Sequence, residues 1–140
     1  MNPPYTKPIP NLDDPEMSPF WRQAKQHRLT AQQCTACRTY RFPALPICPE
    51  CQAVGFDWVE VSPQGTIWSY AVYHRAFHPG FKDDLPYVVA IVENEDGIRY
   101  TGRIIGPRER ITVGARVKVT FLDATENFTL PMWELDSSPG

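Results

Sequence analysis

The sequence predicts a mainly β chain, in which an N-terminal helix and a four-cysteine metal-binding segment precede a five-stranded barrel. Three observations lead to this fold class. One stretch near the N-terminus has helical periodicity, all four cysteines lie within residues 34–51, and five β-like runs fill residues 66–135. We expect an arm and amphipathic helix in residues 1–30, a metal ribbon in 31–61 and an OB-type barrel in 62–140.

The helix is predicted over about residues 18–28, because apolar side chains recur there along one helical stripe. Asp14-Pro15 and Ser18-Pro19 each have the order of a helix N-cap followed by proline at the first helical position. Packing on the protein's own core is the simpler interpretation of the two large aromatic residues of the stripe, and a groove for a partner or ligand is the alternative. The stripe consists of Met17, Phe20, Trp21, Ala24 and Arg28.

The barrel is predicted from five runs rich in β-branched and aromatic residues, which cover 66–77, 86–94, 98–105, 114–124 and 128–135. A further strand is expected at 56–61. Asp96-Gly97 separates two of the runs and is a strong hairpin signal. Residues 66–77 form a long run that carries aromatic residues on both faces, which predicts a bend at a barrel corner. A Greek-key barrel of the OB type follows, with a generic five-stranded sheet as the alternative.

The cysteines form two C-x-x-C pairs, Cys34/Cys37 and Cys48/Cys51, with ten residues between them. A disulfide framework is not expected in a chain without an export signal. Neither pair opens a helix of a βαβ unit, as a thioredoxin-like redox pair would. Four thiolates instead suit one tetrahedral ion, either zinc or iron, and we expect zinc because the sequence has no signal for an electron-transfer partner. The metal is expected to be structural, because all four positions are filled by protein.

Composition limits the possible partners and compartment. The formal net charge is −2 and the sequence pI is about 5.9, which argues against nucleic-acid binding through a basic face. No run of eighteen apolar residues exists, so no membrane span is expected. The N-terminus is proline-rich without an apolar core, so it does not resemble a signal peptide and a cytoplasmic location is expected.

A self-sufficient catalytic set is not evident in the sequence. The three histidines, His27, His74 and His78, lie outside H-E-x-x-H and G-x-S-x-G motifs, and no glycine-rich phosphate loop is present. We therefore expect a chain that does not catalyse a reaction by itself.

The ordered motifs resemble a known acyl-CoA-associated family, whose members join N-terminal helices to a rubredoxin-like zinc ribbon and an OB-fold. The resemblance covers about residues 13–135. It departs in one place: glycine often follows the second cysteine of the first pair in that family, whereas Arg38 stands here and must accept a strained turn. The motifs are SPFW, CTAC, FPALPICPEC, VEVSPQGTIWSYAVYHRAF, PYVVAIVENEDGIRYTGRI, ITVGARVKVTF and LPMWEL.

The resemblance implies an accessory subunit, required by a partner that carries the catalytic residues. Such partners are thiolases, acyltransferases and lipid-transfer-type aldolases that cleave steroid side-chain CoA esters. The ribbon and barrel would help to dock the partner and to bind the acyl-CoA ester. Two alternatives are a free-standing acyl-CoA-binding protein and an OB module that grips single-stranded nucleic acid through Trp68, Tyr70 and Tyr73. An iron-containing redox protein is a third.

Candidate contacts to the CoA ester lie in the crowded segment between Tyr73 and Tyr87, with further contacts expected from the ribbon. Arginine can bind phosphate bidentately, and the aromatic residues suit an apolar arm. The alternative is a surface loop that pairs its own acids, Asp83 and Asp84. The candidate ligand residues are Arg41, Phe42, His74, Arg75, Phe77, Phe81 and Lys82, and the candidate partner anchors are Phe20, Trp21 and Trp68.

Overall fold

The computed structural model describes residues 5–136 as one helix, a small antiparallel sheet and a closed barrel. The helix, α1, is Ser18–Lys25. The small sheet has the order β2-β1-β3 and the barrel has the order β4-β5-β6-β8-β7, closed by pairing of β4 with β7. The strands are β1 Thr30–Cys34, β2 Tyr40–Arg41, β3 Phe56–Glu60, β4 Gln64–Tyr73, β5 Tyr87–Asn94, β6 Arg99–Ile105, β7 Arg116–Thr125 and β8 Phe128–Leu135.

The barrel has the five strands that the sequence predicts, and the mainly β fold class is confirmed. Its pairs are antiparallel except β6 with β8, which run parallel where Ile104 lies opposite Trp133. The predicted hairpin is present: Gly97 has φ +80°, and its N–H donates to the Asn94 carbonyl at 3.0 Å. Alternate residues of β5 are buried, as expected for a strand with one face on the core.

The long first barrel strand, β4, differs from its prediction at both ends, because it begins at Gln64 and ends at Tyr73. The chain then turns into a 3₁₀ helix at Pro79–Asp84. The pairing with β5 shifts between Ile67 and Ser69, which leaves Trp68 as an extra, bulged residue. This bulge explains why aromatic residues occur on both faces of the run and where the strand bends.

Helix α1 is shorter than predicted. It ends at Lys25, and His27 adopts φ +60°, which cannot continue a helix. The expected cap at Ser18 is wrong, because Ser18 is already helical and Met17, which makes no side-chain cap, takes the N-cap position. With eight residues, α1 is too short to cross a membrane, and no helix within residues 5–136 is long and apolar enough to do so.

Strands β1 and β2 were not predicted, because their sequences lack the usual apolar pattern. Gln32 is 1% exposed at the centre of β1, where an apolar residue would be expected. Its Oε1 accepts hydrogen bonds from Arg41 Nε at 2.6 Å and from the Leu45 N–H at 2.9 Å, which satisfies the buried amide oxygen. The ribbon sheet is therefore built around a polar centre.

A single hydrophobic core joins the helix, the small sheet and the barrel. Tyr100 of β6 packs on Phe42 at 4.5 Å between ring centroids and on Trp133 at 6.1 Å, and Phe20 of α1 lies 4.9 Å from Phe42. The Tyr100 hydroxyl donates to the carbonyl of Thr30 in β1 at 2.9 Å. Burial raises the pKa of this phenol, so it stays protonated as a donor. The small sheet thus closes one end of the barrel.

Replacing Tyr100 by phenylalanine keeps the ring but removes this buried hydrogen bond. We expect Tyr100→Phe to lower the free energy of unfolding by about 1–2 kcal/mol, because a buried carbonyl loses its partner. Urea unfolding followed by tryptophan fluorescence measures the change. Tyr73→Phe, on the half-buried outer face of β4, is the matched control and should stay within about 0.5 kcal/mol of the parent chain. Equal stabilities of all three chains would contradict the role of the bond.

Candidate metal centre and adjoining cavities

The four cysteines meet at one point. Their sulfur atoms all lie within 4.8 Å of one another, with Cys34 Sγ 3.6 Å from Cys51 Sγ and Cys37 Sγ 3.6 Å from Cys48 Sγ. Four thiolates at 2.3 Å around a tetrahedral zinc ion are about 3.8 Å apart. The arrangement therefore fits one zinc ion, with every coordination position filled by protein. A closed site of this kind is structural, because it leaves no position for substrate or water.

Two equivalent turns place the thiols. The N–H of Cys34 donates to the Thr39 carbonyl and the N–H of Cys48 donates to the Ala53 carbonyl, each at 2.9 Å. The residue after each pair is left-handed, with φ +68° at Arg38 and +65° at Gln52. The strained turn expected at Arg38 is confirmed. Strands β1 and β2 pair with each other on either side of the first cysteine pair.

The thiols differ in acidity within the cluster. The Thr39 hydroxyl, 3.1 Å from Cys37 Sγ, stabilises the thiolate and lowers the pKa of Cys37 to about 6. The backbone of Ala53 lowers the pKa of Cys51. The neighbouring sulfur atoms of Cys34 and Cys37 have the larger, opposite effect, so the pKa is raised to about 12. Four thiolates this close repel one another, and a divalent cation removes that penalty.

Arg41 is buried in the ribbon and is 5% exposed. Its Nη2 donates to the Leu45 carbonyl at 3.0 Å, and its guanidinium lies 4.9 Å from the centre of the Phe56 ring. Arg41 and Phe42 line a cavity of about 400 Å³ between the ribbon and the β5–β6 hairpin. None of the residues from Tyr73 to Tyr87 lines this cavity.

The remaining predicted ligand residues occupy two adjoining cavities on the barrel. His74 lines a cavity of about 580 Å³ together with Arg103 and Arg108. Phe77 and Phe81 line a groove of about 860 Å³ on the outer face of the barrel. Arg75 and Lys82 are exposed, and the Arg75 guanidinium lies 5.9 Å from the centre of the Phe77 ring.

The N-terminal arm contributes residues that the sequence did not single out. Tyr5 packs edge-on against Phe128 at 5.9 Å, and Lys7 Nζ lies 3.2 Å from Asp84 Oδ2. Arg103 Nη1 lies 2.9 Å from the same oxygen. Burial raises the pKa of Asp84, but the bonds from Arg103 and Lys7 outweigh it and leave the pKa below its ordinary value. Lys7, Asp84 and Arg103 are far apart in the sequence, and no local motif indicates that they meet.

The three predicted partner anchors differ in accessibility. Phe20 is 4% exposed and belongs to the hydrophobic core, which agrees with the interpretation that it packs on the protein itself. It is therefore not available as a partner anchor. Trp21 is half-buried and packs on Phe128 at 5.6 Å. Trp68 remains 48% exposed, with the Arg99 guanidinium 4.0 Å from its ring centre.

The aromatic residues of the nucleic-acid alternative do not form one stacking surface. Trp68 is the bulged residue of β4. Tyr70 lies opposite the buried Ala90 and packs on the core. Tyr73 points to the outer face, where it stacks on Tyr87 at 5.1 Å. Successive bases need a continuous platform, which this arrangement does not provide.

The fold and the four-thiolate centre define a protein with a zinc ribbon attached to an OB-fold barrel. Comparison with known families agrees. Residues 21–55 match the family described as "ChsH2, rubredoxin-like zinc ribbon domain", and residues 58–122 match "ChsH2, C-terminal OB-fold domain". The chain belongs to this ChsH2-type zinc-ribbon and OB-fold family, also called DUF35, and the resemblance seen in the sequence is confirmed.

Three similar proteins illustrate the family. A chain of the solved structure described as "Ltp2-ChsH2(DUF35) aldolase" is 35% identical with a TM-score of 0.81, over 90% of this chain and 98% of that one. The "DUF35 domain-containing scaffold protein" of Methanocaldococcus jannaschii is 36% identical over 72% of this chain and 73% of its own. The "Probable enoyl-CoA hydratase alpha subunit" of Thermomonospora curvata is 40% identical over 81% of this chain. Our chain spans 36% of that subunit's length.

Metal content tests the centre directly. We expect about one zinc ion per chain. Cys34→Ser should lose the zinc, because three thiolates remain and the serine hydroxyl binds zinc too weakly to replace the fourth. Elemental analysis by mass spectrometry measures the ratio of zinc to protein. Ser62→Cys, which adds a thiol outside the cysteine cluster, is the control for adventitious zinc binding and should leave that ratio unchanged. A zinc-free parent chain with an unchanged melting curve would rule out the site.

Proposed function

We propose that this chain is a non-catalytic accessory subunit of a thiolase-like acyl-CoA enzyme complex, namely a thiolase, an acyltransferase or a steroid side-chain aldolase. It docks the catalytic partner and helps to bind the CoA ester. The observation that carries the proposal is the match over 98% of a chain from an aldolase structure whose description names two components. The scaffold and hydratase-subunit names of the other relatives agree with a role within an assembly.

The exposed face of the ribbon is our candidate for the docking surface. Four large apolar side chains lie there in the open, between 36% and 71% exposed, although the ribbon is small. Two of them, Leu45 and Phe56, flank the buried Arg41, which fixes the backbone beneath them through the Leu45 carbonyl. Large apolar side chains exposed on a rigid support are typical of interface centres. This ribbon face consists of Leu45, Ile47, Val54 and Phe56.

The cavity beside His74 is our candidate site for the CoA moiety, in cooperation with the partner. Its lining includes His74, Arg103 and Arg108, of which Arg103 is also bonded to Asp84. The chain as a whole is acidic, so this concentration of positive charge is local. Arginine guanidinium groups match the geometry of phosphate, and CoA carries several phosphate groups. Arg75, the next residue after His74, is exposed.

Co-expression with a thiolase-like protein of the Ltp2 type tests the proposal. We expect the two chains to co-elute on size exclusion, and we expect acyl-CoA turnover to require both. The Val54→Asp variant should abolish co-elution without altering the melting temperature, because Val54 is 71% exposed and a charge there would have to be desolvated on docking.

Val113→Asp provides the matched control, since Val113 is 66% exposed but lies beside the barrel strand β7, away from the ribbon. It should leave both co-elution and turnover unchanged. If the partner turns over acyl-CoA fully without this chain, the accessory role is wrong. If both aspartate variants co-elute normally, docking occurs elsewhere than on the ribbon face.

A further inference from the structure

The small sheet of the ribbon ends in a strand that is paired on one side only. Each of the five barrel strands is paired on both sides, because the barrel is closed. In the small sheet, which has the order β2-β1-β3, β2 has only two residues, whereas β3 has five and pairs with β1 alone. Strand β3 is therefore the longest free sheet edge among the described residues.

The register of β3 on β1 shows which backbone groups face this free edge. The Thr35 N–H donates to the Gly55 carbonyl at 3.1 Å, and the Val61 N–H donates to the Leu29 carbonyl at 3.0 Å. In antiparallel pairing, such hydrogen-bonded positions alternate with positions whose backbone points to the other side. Every second residue of β3 therefore directs its N–H and C=O to the free edge, where they have no hydrogen-bond partner within residues 5–136. These outward residues are Phe56, Trp58 and Glu60.

The free edge of β3 is open to another strand. Residues 56–60 contain no proline and no lysine, and their pairing with β1 has no bulge, so three common obstacles to edge pairing are missing. The side chains at the two ends, Phe56 and Glu60, are exposed. Trp58 between them packs towards Phe20 in the core, with 6.5 Å between ring centroids, and so fixes the strand in place. An exposed edge held in this way suits recognition by strand addition.

The charged side chains of this edge are all acidic. Asp57 and Glu60 are exposed on opposite faces of β3, and neither forms an ion pair with a described residue. Pairing of β3 with β3 of a second copy would bring four carboxylates into two short strands, which disfavours self-association here. A strand with one basic side chain on each face would meet an opposite charge on both faces. The edge is thus complementary to a basic segment.

We propose that the free edge of β3 docks the catalytic partner by strand addition. An extended segment of the partner lies along β3 as a fourth strand of the ribbon sheet. It carries Lys or Arg at two positions three residues apart, opposite Asp57 and Glu60. This inference rests on the proposed function and specifies how docking occurs. Phe56 belongs both to this edge and to the ribbon face, so backbone pairing and apolar contact adjoin in one interface.

Amide hydrogen exchange, resolved to single residues, tests strand addition in the complex of the full chain with a co-expressed Ltp2-type partner. In the free chain the three outward amides, Phe56, Trp58 and Glu60, should exchange fast, whereas Asp57 and Val59, which bond to β1, exchange slowly. In the complex we expect the outward amides to exchange at least tenfold more slowly. Fast exchange of these amides in a complex that co-elutes would overturn the inference and leave the accessory role intact.

Charge reversal tests the complementarity of the edge. The double variant Asp57→Lys/Glu60→Lys should weaken binding of the partner at least tenfold in titration calorimetry, because two attractive contacts become repulsive. Its melting temperature should be unchanged, since both side chains are exposed. Glu109→Lys/Glu126→Lys is the matched control, because it changes the net charge equally at two exposed positions outside the ribbon, and it should bind like the parent chain.

Three results contradict strand addition at β3. Equal affinity of the two double variants for the partner would show that the acidic side chains of the edge do not contribute. A dimeric free chain with slow outward amides would show that a second copy occupies the edge. If the parent chain does not co-elute with the partner at all, the accessory role fails and this inference fails with it.

Discussion

The hydrogen bond from the Tyr100 hydroxyl to the Thr30 carbonyl, within a continuous aromatic core, is the interaction on which the arrangement of the molecule depends. Tyr100 belongs to the barrel and Thr30 to the ribbon sheet, yet their 2.9 Å contact is fully enclosed. Phe20 and Phe42 complete the packing from the helix and the ribbon. Since a buried donor and acceptor must remain paired, the ribbon cannot rotate freely on the barrel. The ribbon face and the cavities of the barrel are thereby held in a fixed relation.

The metal centre provides the stability that the small, partly polar core of the ribbon does not. Its sheet is built around the polar Gln32, and its buried apolar residues include small ones such as Ala31 and Ala44. A core of this kind contributes little burial free energy, so four thiolates around one ion provide the constraint that packing does not. The left-handed Arg38 and Gln52 are held in their turns by this cluster. The centre therefore stabilises the ribbon face without taking part in chemistry.

The sequence predicts those features that depend on residues close together in the chain. The cysteine spacing predicts the four-thiolate cluster, Asp96-Gly97 predicts the hairpin, and the runs rich in β-branched and aromatic residues predict the barrel strands. It does not predict features that depend on contacts between residues far apart in the chain. Nothing local indicates that Gln32 is buried as a strand residue, since its partners, Arg41 and Leu45, lie beyond the first cysteine pair. The same is true of the arm, because Lys7 meets Asp84 and Arg103 only after the barrel has closed. The seven predicted ligand residues, which are either aromatic or basic, likewise do not meet at one site.

The metal, the ribbon and the barrel form one cooperative unit through the Tyr100 contact. Amide hydrogen exchange, followed by mass spectrometry before and after removal of zinc with a chelator, tests it most directly. The account predicts that β1 loses protection and that β6, which carries Tyr100, loses protection with it, while β7, on the side of the barrel away from β6, is affected least. Loss of protection confined to residues 30–61, with β6 unchanged, would contradict the account.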